Sequence, residues 1–483
     1  MRLNPFRSLP NPRQVWAWGM YDLANQSFTL LILTLFFGVF FTKTVVGGVP
    51  PGTSAEQIAN DPIAAAAVAR GNVLWGRAIA ISSLIVVVLS PFLGALADFT
   101  GRKKAMLIWL GLLCAVITVL LAITGPGAVV LAMSLFILAN VGFMLGENFL
   151  ASFLPELSTR ETIGRISAIG WTMGYIGALI CLPMALLIPG LREQSVEGYR
   201  WLFAFAGIWF FINIVPAMAL LAERKKPEPL PPGASLWTIG FARVIDSALH
   251  VGRYRQLAVF LTFFCIYCCG MQVIIAFAGI IAQQYLPVPQ LILFAFVLAG
   301  VSAIGSTLSG MFQDRIGQRL TVQISLVIWV LTCIGAALMP AVNPARWVLW
   351  CVGVGVGLGL GLTGAASRAL VGVLTPAHKT AEFFGLWGMG YKIANVIGPP
   401  LYGVIFAWKG QQWALGFVGL FFVVGLIGTF FVDVMRGRAA AEDAEREFAS
   451  QTDIRDIAAA AQISAKELEH VKRTSETDAG RAS

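Results

Sequence analysis

Long apolar stretches separated by short polar segments run through most of the chain. A helix needs about 20 mostly apolar residues to cross about 30 Å of hydrocarbon, and about twelve stretches meet that requirement. The pattern therefore predicts an all-α integral membrane protein with twelve transmembrane helices, numbered here as spans one to twelve. Their predicted bounds are 16–42, 73–97, 105–124, 127–153, 166–189, 200–222, 256–283, 290–312, 320–339, 347–373, 383–407 and 413–435.

Composition supports this prediction. Of the 483 residues, 57% are hydrophobic and only 12% are charged, whereas a soluble domain averages about 45–50% apolar and about 25% charged residues. A soluble globule of this composition would lack enough polar side chains to cover its surface, so the lipid bilayer is the expected partner. The net charge of +9 raises the alternative of a nucleic-acid-binding protein, which depends on where the charges lie.

Lys and Arg residues outside the predicted spans fall mostly on the side that holds the N-terminus. The positive-inside rule then places both termini in the cytoplasm, as expected of a multi-pass protein of the cell (inner) membrane. The basic residues face anionic lipid headgroups in this arrangement. No nucleic-acid partner is therefore expected.

The chain contains an internal repeat. The loop after span two and the loop after span eight share Gly, Asp and Gly at the same spacing, offset by 216 residues. Pro155 and Pro376, near the same ends of spans four and ten, are offset by 221 residues, and Tyr175 and Tyr391 by 216. Duplicated bundles of this kind are typical of transporters. The candidate latch residues in these two loops are Gly94, Asp98, Gly101 and Arg102, and Gly310, Asp314, Gly317 and Arg319.

We interpret these loops as conformational latches. The aspartates can accept hydrogen bonds from a neighbouring helix N-terminus or pair with Arg. Gly94 and Gly310 are expected to let helices pack closely, while the basic residues that follow also set the topology.

The repeat predicts two six-helix bundles, called here the N-terminal half and the C-terminal half. The connecting linker contains Leu236, Ile239, Val244 and Leu249, whose spacing predicts an amphipathic helix. The tail is predicted to be part helical and part disordered. The resulting division is 1–222 for the N-terminal half, 223–255 for the linker, 256–435 for the C-terminal half and 436–483 for the tail.

The loop after span two is similar to the signature loop of the major facilitator superfamily, and the duplication and basic linker agree with it. Four further segments resemble the vacuolar amino-acid effluxer (autophagy-related) branch and its bacterial relatives. The resemblance implies a secondary active, rocker-switch transporter of an amino acid or similar small polar solute. The segments begin WGMYDLAN at Trp18, NFLASFLPEL at Asn148, GRISAIGW at Gly164 and Ser367-Arg368, the last followed by AEFFG from Ala381.

Ionisable residues at membrane depth are costly and are functional candidates by default. Arg368 lies eight residues before Pro376, as Glu147 lies eight before Pro155, so the two should occupy equal depths in the two halves. The two acids, Asp22 and Glu147, belong to the N-terminal half, and the two bases, Arg368 and Lys392, belong to the C-terminal half. The candidate substrate or gate residues are Asp22, Asn25, Glu147, Asn148, Arg368, Tyr391 and Lys392.

Two hypotheses follow for these charges. They hold a zwitterion, with the bases on its carboxylate and the acids on its ammonium, or they form a gate in which Glu147 or Asp22 pairs with Arg368. Alternatives remain open: Asp22 can sit at headgroup depth beside Trp16, Trp18 and Tyr21, and Lys392 can reach towards an interface. The buried carboxylates are also the candidates for proton coupling.

The sequence gives little support for metal binding or catalysis. The Cys265-x-x-Cys268 pair has no second pair or nearby His to complete a metal site, and small packing residues are the simpler interpretation. The sequence predicts no metal, no cofactor, no catalytic residues and no enzyme activity. The alternatives to a small-solute transporter are a muropeptide or drug exporter of the same superfamily and a non-transporting sensor. A monomer is expected.

Overall fold

The computed structural model is built from helices. It describes residues 9, 11–50, 53–158, 162–223, 235–251, 254–339, 345–376 and 379–450. The helices are α1 (Pro12–Gln26), α2 (Phe37–Val39), α3 (Ala55–Asn60), α4 (Pro62–Thr100), α5 (Lys103–Leu120), α6 (Val129–Ser152), α7 (Leu154–Leu157), α8 (Ile163–Ala185), α9 (Val196–Leu220), α10 (Leu236–Val251), α11 (Arg255–Ala282), α12 (Val288–Ile316), α13 (Gln318–Leu338), α14 (Ala345–Leu374), α15 (Thr380–Lys409) and α16 (Gln411–Thr429).

Eleven helical segments in the described part of the chain are long and apolar enough to cross a membrane. They correspond to all the predicted spans except span eleven, which is the 30-residue helix α15. Lys392, Asn395 and the Pro399-Pro400 pair lower the mean hydropathy of α15. The multi-pass membrane architecture is thus confirmed, while the count of twelve stays a prediction.

Two elements at the start of the chain differ from the sequence prediction. The first span is longer, Pro12–Val46, because π-helical turns over Ser27–Phe36 and Phe40–Val46 continue α1. Residues 43–72, which lie between the predicted spans one and two, are largely helical, since α4 begins at Pro62. Asp61 caps α4 by accepting hydrogen bonds from the backbone of Ile63 and Ala64, and Pro at the first helical position favours a start there.

Two ends of the helical bundle can be distinguished by their loops. The signature end holds Gly101 and Gly317, at which α4 and α12 terminate. The opposite end holds the other termini of the same helices. Sequence analysis predicts that the signature end faces the cytoplasm.

The two halves are packed backbone to backbone near the opposite end. A methyl group added to Gly403 of α15 would lie 2.7 Å from the carbonyl oxygen of Asn72 in α4, and one added to Gly76 would lie 3.0 Å from the Cα of Pro400. The buried indole of Trp75 donates a hydrogen bond of 2.9 Å to the carbonyl of Ala276 in α11. The opposite end is therefore closed in this conformation.

The predicted linker and tail are both partly helical. In the linker, α10 packs on α4, with Trp237 stacked on Phe92 at 4.2 Å between ring centroids. Leu249 is 72% exposed, and the side chain of Val244 lies outside the described residues. Residues 434–450, which include the first part of the tail, are helical, and 451–483 lie outside the described part of the chain.

Candidate functional site

Four helices bring the candidate charges to similar depths. At 1.5 Å per residue, Glu147 and Arg368 lie about 8–9 Å from the signature-end termini of α6 and α14, and Asp22 and Lys392 about 15–18 Å from those of α1 and α15. All four side chains are half-buried. They occupy the part of the bundle between its centre and the signature end, away from the closed end.

The acids of the N-terminal half form one cluster. The side-chain amide of Asn25 donates a hydrogen bond to Oε1 of Glu147, and the Asp22 carboxylate lies close enough to Glu147 for the two charges to interact. A methyl group added to Gly170 of α8 would lie 2.6 Å from Oδ2 of Asp22. Gly170 therefore leaves room for the Asp22 side chain beside α8.

Asn148 points elsewhere. Its side-chain amide donates a hydrogen bond of 3.0 Å to Oγ of Ser90 in α4, because successive residues on a helix project about 100° apart. In this conformation Asn148 joins two helices of the N-terminal half, whereas its neighbour Glu147 belongs to the acid cluster.

The aromatic residues flanking Asp22 do not form a belt at the bundle surface. Trp18 is 5% exposed and donates a hydrogen bond of 2.8 Å to the carbonyl of Leu150. Tyr21 is 1% exposed, and its hydroxyl donates to the carbonyl of Leu107 at 3.3 Å. Only Trp16 is substantially exposed among the three. The alternative that placed Asp22 in an interfacial aromatic belt is therefore wrong for Trp18 and Tyr21.

Arg368 is clamped between two indole rings. Its guanidinium carbon lies 5.5 Å from the ring centroid of Trp171 in α8 and 5.5 Å from that of Trp387 in α15. Within the described residues, the guanidinium makes no hydrogen bond or ion pair. The buried Nε1 of Trp387 also has no hydrogen-bond partner there. Contacts of a guanidinium with aromatic rings leave its N–H groups available to a planar anion.

Tyr391 and Lys392 lie beside this clamp on α15. The Tyr391 ring packs edge-to-face on Trp387 at 5.1 Å and on Phe264 at 5.0 Å. Nζ of Lys392 lies 3.5 Å from the carbonyl oxygen of Gly388, and its charge interacts with that of Glu147 across the two halves. Sequence reasoning did not select Trp387, although its spacing of four from Tyr391 places both on one helix face.

The structure therefore groups the charges differently from the gate hypothesis. That hypothesis paired Glu147 or Asp22 with Arg368, but here Glu147 accepts a hydrogen bond from Asn25 with the charge of Lys392 nearby, while Arg368 contacts aromatic rings. Pairing with Arg368 in another conformation stays a prediction.

The repeated loop glycines have two different roles. Gly101 and Gly317 adopt φ values of +62° and +90°, a backbone region that glycine enters without steric cost, and each terminates a helix. A methyl group added to Gly94 or Gly310 would meet no atom within 4 Å. The expectation that Gly94 and Gly310 let helices pack closely is therefore wrong in this conformation, because the helices are not in close contact there.

The latch in the N-terminal half uses residues that the sequence analysis did not select. Lys103 forms an ion pair with Glu156, and both side chains are largely buried, at 10% and 13% exposure. Glu223 accepts hydrogen bonds from the backbone N–H groups of Lys103 and Lys104 at the start of α5. Arg102 is exposed. Lys103, the first residue of α5, turns inwards. Sequence spacing alone did not reveal this orientation.

The other latch residues are placed as follows. Asp98 is half-buried and interacts with a neighbour, whereas the side chain of Asp314 lies outside the described residues. Arg319, offset by 216 residues from Lys103, donates a hydrogen bond of 3.2 Å to the carbonyl of Phe430 and lies 5.8 Å from the centroid of its ring.

The chain is similar in fold to solved structures of transporters. The chain superposes on the D-xylose-proton symporter with a TM-score of 0.64, at 15% identity, covering 88% of this chain and 98% of that one. It superposes equally, at 0.64 and 12% identity, on a bacterial homologue of the human lysosomal transporter Spinster, covering 90% and 98%. The fold is that of the major facilitator superfamily transporters.

Sequence comparison assigns the chain to one family of transporters. Residues 11–442 match the family described as "Vacuole effluxer Atg22 like", and the chain belongs to that family. It is 25% identical over 409 residues to the uncharacterised MFS-type transporter YxiO of Bacillus subtilis, covering 83% of this chain and 90% of that protein. It is 25% identical over 304 residues to autophagy-related protein 22-1 of Aspergillus niger, covering 59% of this chain and about half, 49%, of that protein.

Proposed function

We propose that this protein is a secondary active transporter that moves a small zwitterionic solute, an amino acid or a close analogue, by alternating access. The observation that carries the proposal is the clamped guanidinium of Arg368, whose N–H edges have no protein partner among the described residues. An Arg edge is suited to bidentate recognition of a carboxylate. The acid cluster of Asp22, Asn25 and Glu147 in the other half offers a partner for an ammonium group.

The conformation supports alternating access between two states. The halves are closed near the opposite end by contacts such as Gly403 on Asn72, while Gly94 and Gly310 at the signature end have no close neighbours. A solute held between Arg368 and Glu147 would touch both halves, so its binding can favour one relative position of the halves over another. Membership of an effluxer family and similarity to an MFS-type transporter support the same function.

The excess of basic residues at the signature end supports a cytoplasmic location for that end and for both termini. We propose the cell membrane as the site of action, with the solute released or captured on the cytoplasmic side in this conformation.

A thermal-shift screen of the purified chain tests the substrate class. The standard L-amino acids, the corresponding amino-acid amides, dipeptides and sugars are applied singly to the wild-type protein and to Arg368→Ala. We expect one or more amino acids to raise the melting temperature of the wild-type protein, their amides to have little effect, and Arg368→Ala to lose the response. Arg319→Ala removes a basic residue from the same half outside the site and should respond normally.

Three other outcomes of these measurements would count against the proposed function. Amino acids that stabilise Arg368→Ala as well as the wild-type protein would exclude the proposed carboxylate site. A response to dipeptides or muropeptides alone would favour the exporter function. Binding without counterflow in proteoliposomes would favour a sensor.

Proton coupling is part of the proposal and is tested separately. Glu147 accepts a hydrogen bond from Asn25 and interacts with Lys392 of the other half, so its proton occupancy can depend on the position of the halves. We expect Glu147→Gln to abolish pH-dependent uptake of the amino acid identified above while retaining counterflow exchange. Glu56→Gln, at an exposed position on α3, is the matched control. Unchanged pH dependence in Glu147→Gln would assign the coupling elsewhere.

A further inference from the structure

The two indole rings that clamp Arg368 belong to different halves of the molecule. Trp387 lies on α15, in the same half as Arg368, whereas Trp171 lies on α8 in the N-terminal half. Both rings are 5.5 Å from the guanidinium carbon. The Arg368–Trp387 contact therefore depends on packing within the C-terminal half. The Arg368–Trp171 contact, at the same distance, depends on the relative position of the two halves.

Trp387 is fixed by its own half. Its ring lies 5.7 Å from that of Phe264, 5.1 Å from that of Tyr391 and 6.1 Å from that of Phe384. These neighbours belong to α11 and α15, so the Trp387 ring moves together with Arg368.

Trp171 is held less tightly. It is 57% exposed, and an aromatic neighbour within its own half is Tyr175, whose ring is tilted by 35° at 6.5 Å between centroids. The Tyr175 hydroxyl also lies close to Ser302 of α12 in the other half. One face of α8 thus meets the C-terminal half at two side chains at this depth, and both contacts must change when the halves move.

We infer that Trp171 is a movable wall of the Arg368 site, so that carboxylate binding and approach of the two halves at this depth stabilise each other. The inference rests on the proposed function. With Trp171 in place, two indole rings lie 5.5 Å from the guanidinium carbon instead of one, and an interaction of the guanidinium with an anion is stronger in the less polar environment that they provide. Because coupling is reciprocal, a bound carboxylate favours the arrangement that keeps Trp171 on the guanidinium.

Binding measurements distinguish the contribution of Trp171 from that of Trp387. Affinity of the full chain for each standard L-amino acid that stabilises the wild-type protein is measured by calorimetry in wild type, Trp171→Ala, Trp171→Phe and Trp387→Ala. Loss of one cation–π wall should weaken binding about 3- to 30-fold in both alanine variants. Trp171→Phe should restore most of the affinity, and Trp171→Ala should have no further effect when Arg368→Ala is also present. Full affinity in Trp171→Ala would overturn the inference.

Distances between the halves provide the second measurement. Spin labels are placed at Thr100→Cys and Ile316→Cys, exposed positions at the signature end of each half, with Cys265 and Cys351 replaced by Ser because the other five cysteines are buried. At saturating amino acid we expect a shorter, narrower distance distribution in the wild-type background and in Trp387→Ala, but not in Trp171→Ala. The same ligand-induced change in Trp171→Ala would contradict a movable wall.

The failure of the proposed function can be distinguished from the failure of this inference. If no amino acid binds the wild-type protein, the proposed substrate class is wrong. The ligand-free distributions still test Trp171, because losing a contact between the halves should broaden the distribution in Trp171→Ala and leave Trp387→Ala unchanged. Identical ligand-free distributions in these variants would then reject the inference by itself.

Discussion

The same pair of helices is joined by different chemistry in the two halves. In the N-terminal half, α4 and α6 are linked by polar side chains: Asn140 donates to Ser82 at 2.7 Å, and Asn148 donates to Ser90 at 3.0 Å. The equivalent helices of the C-terminal half, α12 and α14, meet through glycines spaced four residues apart. These are Gly353 against the Phe294 ring, Gly357 at 2.9 Å from the Leu298 carbonyl oxygen, and Gly361 against Ser302, all measured from an added Cβ.

The signature loops differ in the same way. Lys103 lies in a largely buried ion pair, whereas Arg319, at the equivalent position, contacts a backbone carbonyl and a ring that is 61% exposed. Polar bonds and small residues are two established ways of joining helices in a membrane. The comparison teaches that the sequence repeat keeps its residue spacing while the contacts between the corresponding helices differ.

The largest effect is expected at the loop of the N-terminal half. Lys103→Ala removes one partner of a buried ion pair and should lower the free energy of unfolding by about 3 kcal/mol. Arg319→Ala, its counterpart, should cost less than about 1 kcal/mol because the contact is exposed. SDS-induced unfolding followed by circular dichroism measures both. Equal losses would show that the two loops stabilise the halves alike.

A smaller effect is expected where glycine joins helices in the C-terminal half. A Cβ at Gly361 would meet the Ser302 carbonyl oxygen and lie 2.7 Å from the Ser306 nitrogen, so Gly361→Ala should destabilise the protein by about 1–3 kcal/mol. Gly364→Ala is the control on the same helix, since nothing lies within 4 Å of its Cβ. Its stability should be unchanged or slightly higher. A tolerated Gly361→Ala would mean that α12 and α14 can separate at little cost.

The smallest effect is expected for the polar link in the N-terminal half. Asn140→Ala removes the hydrogen bond to Ser82, and such bonds between membrane helices contribute about 0.6 kcal/mol on average. The double variant Asn140→Ala/Ser82→Ala should lose less free energy of unfolding than the sum of the two single variants, by about 0.6 kcal/mol. A thermal-unfolding cycle of the four proteins measures the coupling; a value near zero would remove this bond from the comparison.

Much of the candidate site was accessible from the sequence, because charged residues in apolar stretches are conspicuous. Asp22, Glu147, Arg368 and Lys392 were selected on that basis, and Asn25, three residues after Asp22, shares its helix face. Their partners were not accessible. That Asn25 reaches Glu147, and that Trp171 and Trp387 enclose Arg368, depends on how helices distant in sequence are rotated towards one another.

The sequence by itself determined the membrane environment, the order of the spans and the duplication, because hydrophobicity and residue spacing are local properties of a chain. It also determined that Gly101 and Gly317 would recur at equivalent places. The tertiary structure decided which glycines are in contact, which lysine of the first loop turns inwards to Glu156, and which end of the bundle is closed. Those outcomes depend on helix rotation, tilt and the relative position of the two halves, which are set by the packing of many residues together.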